Sequence, residues 1–188
     1  DLTELRTVLS SVLGGSERLA EWFFRMLHGS LVANATDSFR SFETIGVEAL
    51  RAVALRQGID LTDSGAQDLV AGFRSLPPHP DVAPALDRMA AGGLRMIALS
   101  NGSPTGIPAQ LGNAGIIDRF EMIVSVEEAG RFKPDPAPYL AALERAAVEP
   151  KAALMVAAHD WDIIGARAVG ISGAFITRPG VVWTVPHD

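Results

Sequence analysis

The stretch "SLPPHPD" at residues 75–81 divides this 188-residue chain into two patterns. Pro77, Pro78 and Pro80 fix φ and remove backbone donors, so the segment is a rigid connector through which neither helix nor strand can run. Beyond it, short apolar runs alternate with amphipathic segments. The runs at 95–99, 122–126, 154–158 and 173–176 read as strands, and 105–114, 136–147 and 162–169 as helices. Asp135 followed by Pro136 has the form of a helix start, a side-chain cap with proline at the first helical position. This alternation argues an α/β fold, a parallel sheet with helices on both faces. Ligands in such sheets meet the carboxyl ends of the strands. The loops that carry chemistry are therefore 100–104, 127–135, 157–162 and 177–180.

The first 76 residues differ. Leu2, Leu5, Val8, Leu9, Val12 and Leu13 recur at helical spacing and stop at Gly14-Gly15. Ser16 is placed to cap a second helix through Leu19, Trp22, Phe23, Met26 and Leu27 toward Leu31. Segment 42–57 is a third helix ended by Gly58, and Thr62 or Asp63 caps a fourth containing Leu69, Val70 and Phe73. Four amphipathic helices with short joins predict a small bundle over 1–76, followed by an α/β core over 77–188.

Composition narrows the function classes. Hydrophobic residues are 48% and charged residues 20%, enough for a sizeable core. A net charge of −6 without a basic run argues against a nucleic-acid partner. A locally positive pocket for a small anionic substrate remains open. The lack of cysteine excludes disulfides, thiolate metal sites and a cysteine nucleophile, and fits a cytoplasmic location. No apolar run approaches membrane-spanning length, and the N-terminal stretch lacks a signal-peptide pattern. Of 16 basic residues only Lys133 and Lys151 are lysines, which on its own reads as a bias toward arginine.

Three strand tips carry candidate groups. In "ALSNGSP", Ser100 and Asn101 can present hydroxyl, amide and backbone N–H groups to an anion, or simply form a capped loop. In "GRFKPDPAPYL", Lys133 precedes Pro134, which favours extended backbone and projects an ammonium at the sheet's edge. That ammonium can neutralise carboxylates or hold an anionic substrate, or be merely solvated. Tyr139 lies one turn into the next helix, within reach of the same mouth. In "LMVAAHDWDIIGARAVG", His159, Asp160 and Asp162 surround Trp161. Ala157-Ala158 offer no carboxylate where a magnesium ion would want oxygen ligands, so no metal is expected. Asp162 either caps the helix 163–169 or sits opposite Lys133 and orients a water. His159 is either a titrating group or a structural one.

Taken in order, these motifs resemble the haloacid dehalogenase superfamily, in its type II (L-2-haloacid) branch. "LSNGSP", "RFKPDPAPY" and "VAAHDWDIIGARAVG" are similar to the second, third and fourth motifs of that family. The resemblance covers nearly the whole chain and implies a Rossmann-like core with a helical cap. It implies that an aspartate displaces halide from C2 of a short haloacid, and that water then hydrolyses the aspartyl ester. The matches imply that Ser100 and Asn101 bind substrate and assist halide departure. They imply that Lys133 steadies the nucleophile and Asp162 holds Lys133 and the water, while Tyr139 shapes the pocket. Trp161, His159 and Phe23 join the substrate-binding set. A homodimer is implied, with no cofactor, nucleic acid or membrane partner.

The sequence departs from the family in three places. The nucleophile motif, Asp-x-x-Gly-Thr, is absent. Asp1 matches an acidic residue just past it, and "VVWTVPHD" stops before the family's last core strand. The expectation is a piece of a longer protein, inactive and poorly soluble alone, with unpaired backbone beside its central strands. Second, the cap arginine that binds halide directly follows a tryptophan in the family. Here Phe23 and Phe24 follow Trp22, and Arg25 comes two places late, about 200° around a helix. An aromatic lining including Phe23 is the expected replacement. Third, Ala157 and His159 stand where a serine and an asparagine help bind water, and His159 is suited to the asparagine's role. Two other readings stay open: a magnesium-dependent phosphatase of the same superfamily, and a non-catalytic binding protein.

Overall fold

The computed structural model describes residues 3–15 and 17–186. The matches at Asp1 and Leu2 and the cap at Ser16 lie outside the described residues. Four helices come first: α1 (Thr3–Leu13), α2 (Arg18–Ala35), α3 (Phe42–Arg56) and α4 (Asp63–Ala71). Their apolar stripes meet in one core of Leu5, Leu9, Leu13, Trp22, Met26, Leu50 and Val53. Leu5, Leu9 and Leu13 repeat at a spacing of four and face inward. Val8 and Leu31, expected among the apolar positions, are turned outward and exposed. The Trp22 indole, fully buried, donates to the Gly46 carbonyl at 2.8 Å, so its polar edge is satisfied inside the bundle. Ser41 caps α3, and Thr62 rather than Asp63 caps α4.

A further helix, α5 (Val82–Ala91), follows the proline connector and is missing from the sequence reading. Its Pro84 masks it in sequence. In the first turn, however, the missing N–H has no intrahelical acceptor to lose. Three strands are one residue shorter than predicted, β1 (Ile97–Ser100), β2 (Met122–Ser125) and β3 (Leu154–Ala157), and β4 (Ser172–Phe175) keeps its length but starts one residue earlier. Between them run α6 (Gly106–Asn113), α7 (Pro136–Ala146) and α8 (Asp160–Ala168). β1 pairs in parallel with β2, Ser100 opposite Ser125 at the tips, and β3 pairs in parallel with β4. Among the described residues these are two separate two-stranded sheets, where one continuous sheet was expected. Asp135 caps α7 by accepting from the Ala137 N–H, with Pro136 first in the helix as predicted.

Helix α8 begins at Asp160, two residues earlier than expected. That shift corrects one of the two readings of Asp162. It lies within the first turn and is not the cap of a helix 163–169. Tyr139, Leu143, Ala166 and Ile171 form a second core, which packs α7 and α8 against Leu99 of β1 and Met155 of β3. Gly165 makes this close approach possible. A Cβ there would lie 2.6 Å from the Tyr139 hydroxyl and 2.9 Å from Pro134 Cα. Gly165→Ala is expected to cost about 1–3 kcal/mol by overpacking. Urea denaturation measures the loss, and an unchanged midpoint would show that α8 has room to move.

Candidate active site

The tip of β1, the loop after it and the start of α8 converge on one buried cation. Lys133 is only 7% exposed. Its Nζ donates to Asp162 Oδ2 at 2.7 Å and to the Leu99 carbonyl at 3.0 Å. Its backbone N–H donates to Asn101 Oδ1 at 3.1 Å. The other oxygen of Asp162, Oδ1, accepts from the Tyr139 hydroxyl at 2.8 Å. Both oxygens of a carboxylate 5% exposed are therefore held, one by an ammonium and one by a phenol. Burial, and then the charge of Asp162, push the Tyr139 hydroxyl well above its ordinary value, so it stays a neutral donor.

Ser100 Oγ accepts from the Gly102 N–H at 3.1 Å, and Ser125 Oγ donates to the Gly102 carbonyl at 2.7 Å. These bonds fasten the 100–102 loop to the tip of β2. Asn101 is buried and spends its side-chain oxygen on the Lys133 backbone. Lys133, Asp162, Tyr139 and Asn101 are thus brought into one hydrogen-bonded cluster, and Ser100 stands at its edge on β1.

The remaining predicted residues form a neighbouring aromatic group. The His159 ring lies 5.6 Å from Phe23 of α2 and 5.2 Å from Trp161, near-parallel to both. His159 is exposed as a residue, yet its imidazole is desolvated where it lies against its neighbours. That desolvation draws it below its ordinary value. Asp162 and Asp160 oppose the shift, and Lys133 adds to it. A neutral imidazole follows near neutral pH. Arg25 pairs with Glu21 at 3.0 Å, one turn back on α2. A narrow cleft of about 120 Å³ runs between the helical layer and the core. Phe23, Phe42, Phe73, Arg74, Ser100 and Ile107 are among its walls. A wider cavity of about 480 Å³ lies beside Ile163, Arg167 and Trp183, between α8 and β4. It shares no lining residue with the lysine cluster.

Sequence reasoning gave no role to Asp160, which is the most heavily hydrogen-bonded carboxylate of the site region. Its Oδ2 accepts from the Thr184 N–H (2.7 Å), the Thr184 hydroxyl (2.7 Å) and the Val185 N–H (3.0 Å). Oδ1 accepts from the Trp161 N–H at 2.8 Å. Burial works to raise its pKa, but the donors together overcome it and bring the carboxyl to about 2. The only sequence signal was a third polar residue in a dense motif, and its partners Thr184 and Val185 lie 24 and 25 residues away.

The site is thus a buried lysine–aspartate pair at the strand tips of an α/β core, beside a helical layer. A family model described as haloacid dehalogenase-like hydrolase matches residues 10–170. The chain belongs to that family, and it is a hydrolase. It is 30% identical over 169 residues to the (S)-2-haloacid dehalogenase of Pseudomonas sp. (strain YL), covering 90% of this chain and 73% of that one. It is also 30% identical to haloacetate dehalogenase H-2 of Moraxella sp. (strain B), with 90% and 72% covered. The structure of L-2-haloacid dehalogenase from Xanthobacter autotrophicus superposes with a TM-score of 0.88 at 28% identity. That superposition covers 94% of this chain and 72% of the other.

Two predictions follow from the geometry. Replacing one partner of the Lys133–Asp162 pair, as in Lys133→Met or Asp162→Leu, is expected to cost about 3–5 kcal/mol, because the other charge is left buried alone. The double variant costs less than the sum, and a double-mutant cycle in urea reads the coupling. Asp160 contributes to the acid dependence. Its folded pKa of about 2 lies below the ordinary 3.8, so its stabilisation is present above 3.8 and is lost as pH falls toward about 2. Asp160→Asn should therefore be less stable than the parent at neutral pH and lose less stability across that acid window. Thermal midpoints taken across the window check it.

Proposed function

We propose that this site serves the hydrolytic dehalogenation of short 2-haloacids. The single observation that carries the reading is the buried Lys133–Asp162–Tyr139 cluster beside Ser100 and Asn101 at the end of β1. Such a cluster balances negative charge with a fixed ammonium. The names of the similar proteins supply the substrate class.

In this reading an aspartate carboxylate attacks C2, a C–O bond forms, and the C–X bond breaks with the electron pair leaving on halide. Water then adds to the carbonyl of the aspartyl ester, releasing the 2-hydroxyacid and a proton and regenerating the carboxylate. The Asp-x-x-Gly-Thr nucleophile is not among these 188 residues, so they supply the surroundings of the reaction. An ammonium has three N–H donors. Lys133 gives two to Leu99 and Asp162, and in this reading the third steadies the nucleophile. Asp162 orients the lysine and the hydrolytic water. Ser100 and Asn101 receive the substrate carboxylate and the departing halide. Tyr139, His159, Trp161 and Phe23 wall the pocket, and neutral His159 takes the water-binding place of an asparagine. Residues 1–76 act as the cap over a core at 77–188. A cytoplasmic homodimer is part of the same proposal, supported by the resemblance and the cysteine-free composition.

The test is halide release from the two 2-chloropropionate enantiomers by the full-length protein that carries these residues, with and without EDTA. The expected result is release from the (S) enantiomer, unchanged by EDTA and lowered roughly 10²–10³-fold by Lys133→Met. Magnesium-dependent turnover of phosphate esters in its place would establish a phosphatase. Turnover of neither substrate would leave a binding protein.

A further inference from the structure

Residues 131, 132 and 133 are consecutive but belong to different parts of the molecule. The Arg131 guanidinium donates to the Asn34 carbonyl at 2.7 Å and pairs with Asp37, just past the end of α2. The Phe132 ring is fully buried in the core of the helical layer, 4.6 Å from Phe39 and 5.9 Å from Phe42. Lys133 turns the other way, into the α/β core, onto Asn101, Leu99 and Asp162. The lysine is therefore strung between two layers, and its position depends on what holds the residue before it.

The side chain of Asn34 ties Phe132 to the helical layer. Asn34 Nδ2 donates to the Phe132 carbonyl at 2.8 Å, and Asn34 Oδ1 accepts from the Phe132 N–H at 2.9 Å. A carboxamide carries one donor edge and one acceptor edge, and here it satisfies both backbone groups of one residue as a neighbouring strand would. The Phe132 carbonyl also accepts from the Asp135 N–H at 3.0 Å, so an apolar side chain at position 34 would leave the carbonyl with that bond alone and take the side-chain acceptor from the N–H. We propose that Asn34, on α2 of the helical layer, is a positioning residue that clamps the Phe132 backbone and thereby holds the Lys133 ammonium on Asp162. Seating of the helical layer and placement of the lysine are then one event. A displacement of α2 draws Phe132, and with it Lys133, away from the carboxylate. The proposal rests on the reading of Lys133 as the charge-balancing group, but its test does not depend on the substrate.

The experiment is amine acylation of the full-length protein with an N-hydroxysuccinimide acetate, resolved by peptide mass spectrometry. Lys151, which is exposed, serves as the internal reference for Lys133. In the parent protein Lys133 acylates far more slowly than Lys151. Asn34→Leu keeps the approximate volume and removes both hydrogen bonds. It should speed acylation of Lys133 about tenfold or more, on the scale of losing one to two hydrogen bonds, and leave Lys151 unchanged. Asn34→Asp keeps the acceptor, loses the donor and sets an oxygen against the Phe132 carbonyl. It should do the same, and it replaces the leucine variant if that one fails to fold. Asp37→Asn, which breaks only the exposed ion pair with Arg131, should leave Lys133 protected. If both Asn34 variants lower the thermal midpoint but acylate Lys133 at the parent rate, Asn34 only packs the fold and the proposal is overturned. Equal exposure of Lys133 in Asp37→Asn overturns it as well. With a 2-haloacid as substrate, kcat should fall by about 10²-fold with KM little changed, as expected when a reacting geometry slips by an ångström. Exposure of Lys133 without any haloacid turnover in the parent would sustain the clamp and reject the substrate reading alone.

Discussion

A lysine ammonium and an aspartate carboxylate held 2.7 Å apart in the interior govern how the rest of this protein is arranged. Either charge alone at that depth would be strongly unfavourable, and even the pair is stable only if its remaining donors and acceptors are occupied. The Leu99 carbonyl takes one ammonium proton, and the Tyr139 hydroxyl occupies the second carboxylate oxygen. Those requirements fix the end of β1, the first turn of α7 and the first turn of α8 relative to one another. Gly165 follows from them, because a side chain there would push α8 off Tyr139 and Pro134.

The polar cluster sits where the two layers meet, and each layer contributes what the other lacks. The α/β part supplies charge and hydrogen bonds through Asn101, Lys133 and Asp162. The helical part supplies aromatic surface, with Phe23 stacked on His159 across the junction and Phe39 and Phe42 enclosing Phe132. Lys133 itself is almost fully buried, and low exposure raises the strength of the charge–charge contact it makes. The cation that the sequence placed two positions late on α2, Arg25, is engaged with Glu21.

Much of the fold was legible because its signals are local. Proline at 77, 78 and 80, the Asp135-Pro136 helix start and the change from helical to alternating patterning all act over a few residues. The Asp135-Pro136 start appears where the sequence put it and no helix or strand runs through the three prolines, but α5 intervenes before the first strand. The boundaries slipped where a nonlocal partner decided them. Helix α8 starts at Asp160, whose carboxylate is bound by Thr184 and Val185, and that moved Asp162 from the cap position into the first turn. Helix α5 was missed because Pro84 reads as a breaker until its place in the first turn is known. Asn34 has no part in the sequence reading, since its partner is 98 residues away.

The order of motifs along the chain, set by residue chemistry at strand tips, was enough to determine the family and to single out Lys133, Tyr139 and Asp162 as groups that belong together. Tertiary structure decided the pairings. It gave one oxygen of Asp162 to the lysine and the other to the tyrosine, assigned Asn101 to the Lys133 backbone, stacked His159 between Phe23 and Trp161, and fastened Phe132 with Asn34. The physical reason is range. Helix caps, proline and hydrophobic period are encoded within a turn or two of chain. A buried hydrogen bond is set by whatever the folded chain brings within about 3 Å, and no local pattern records that.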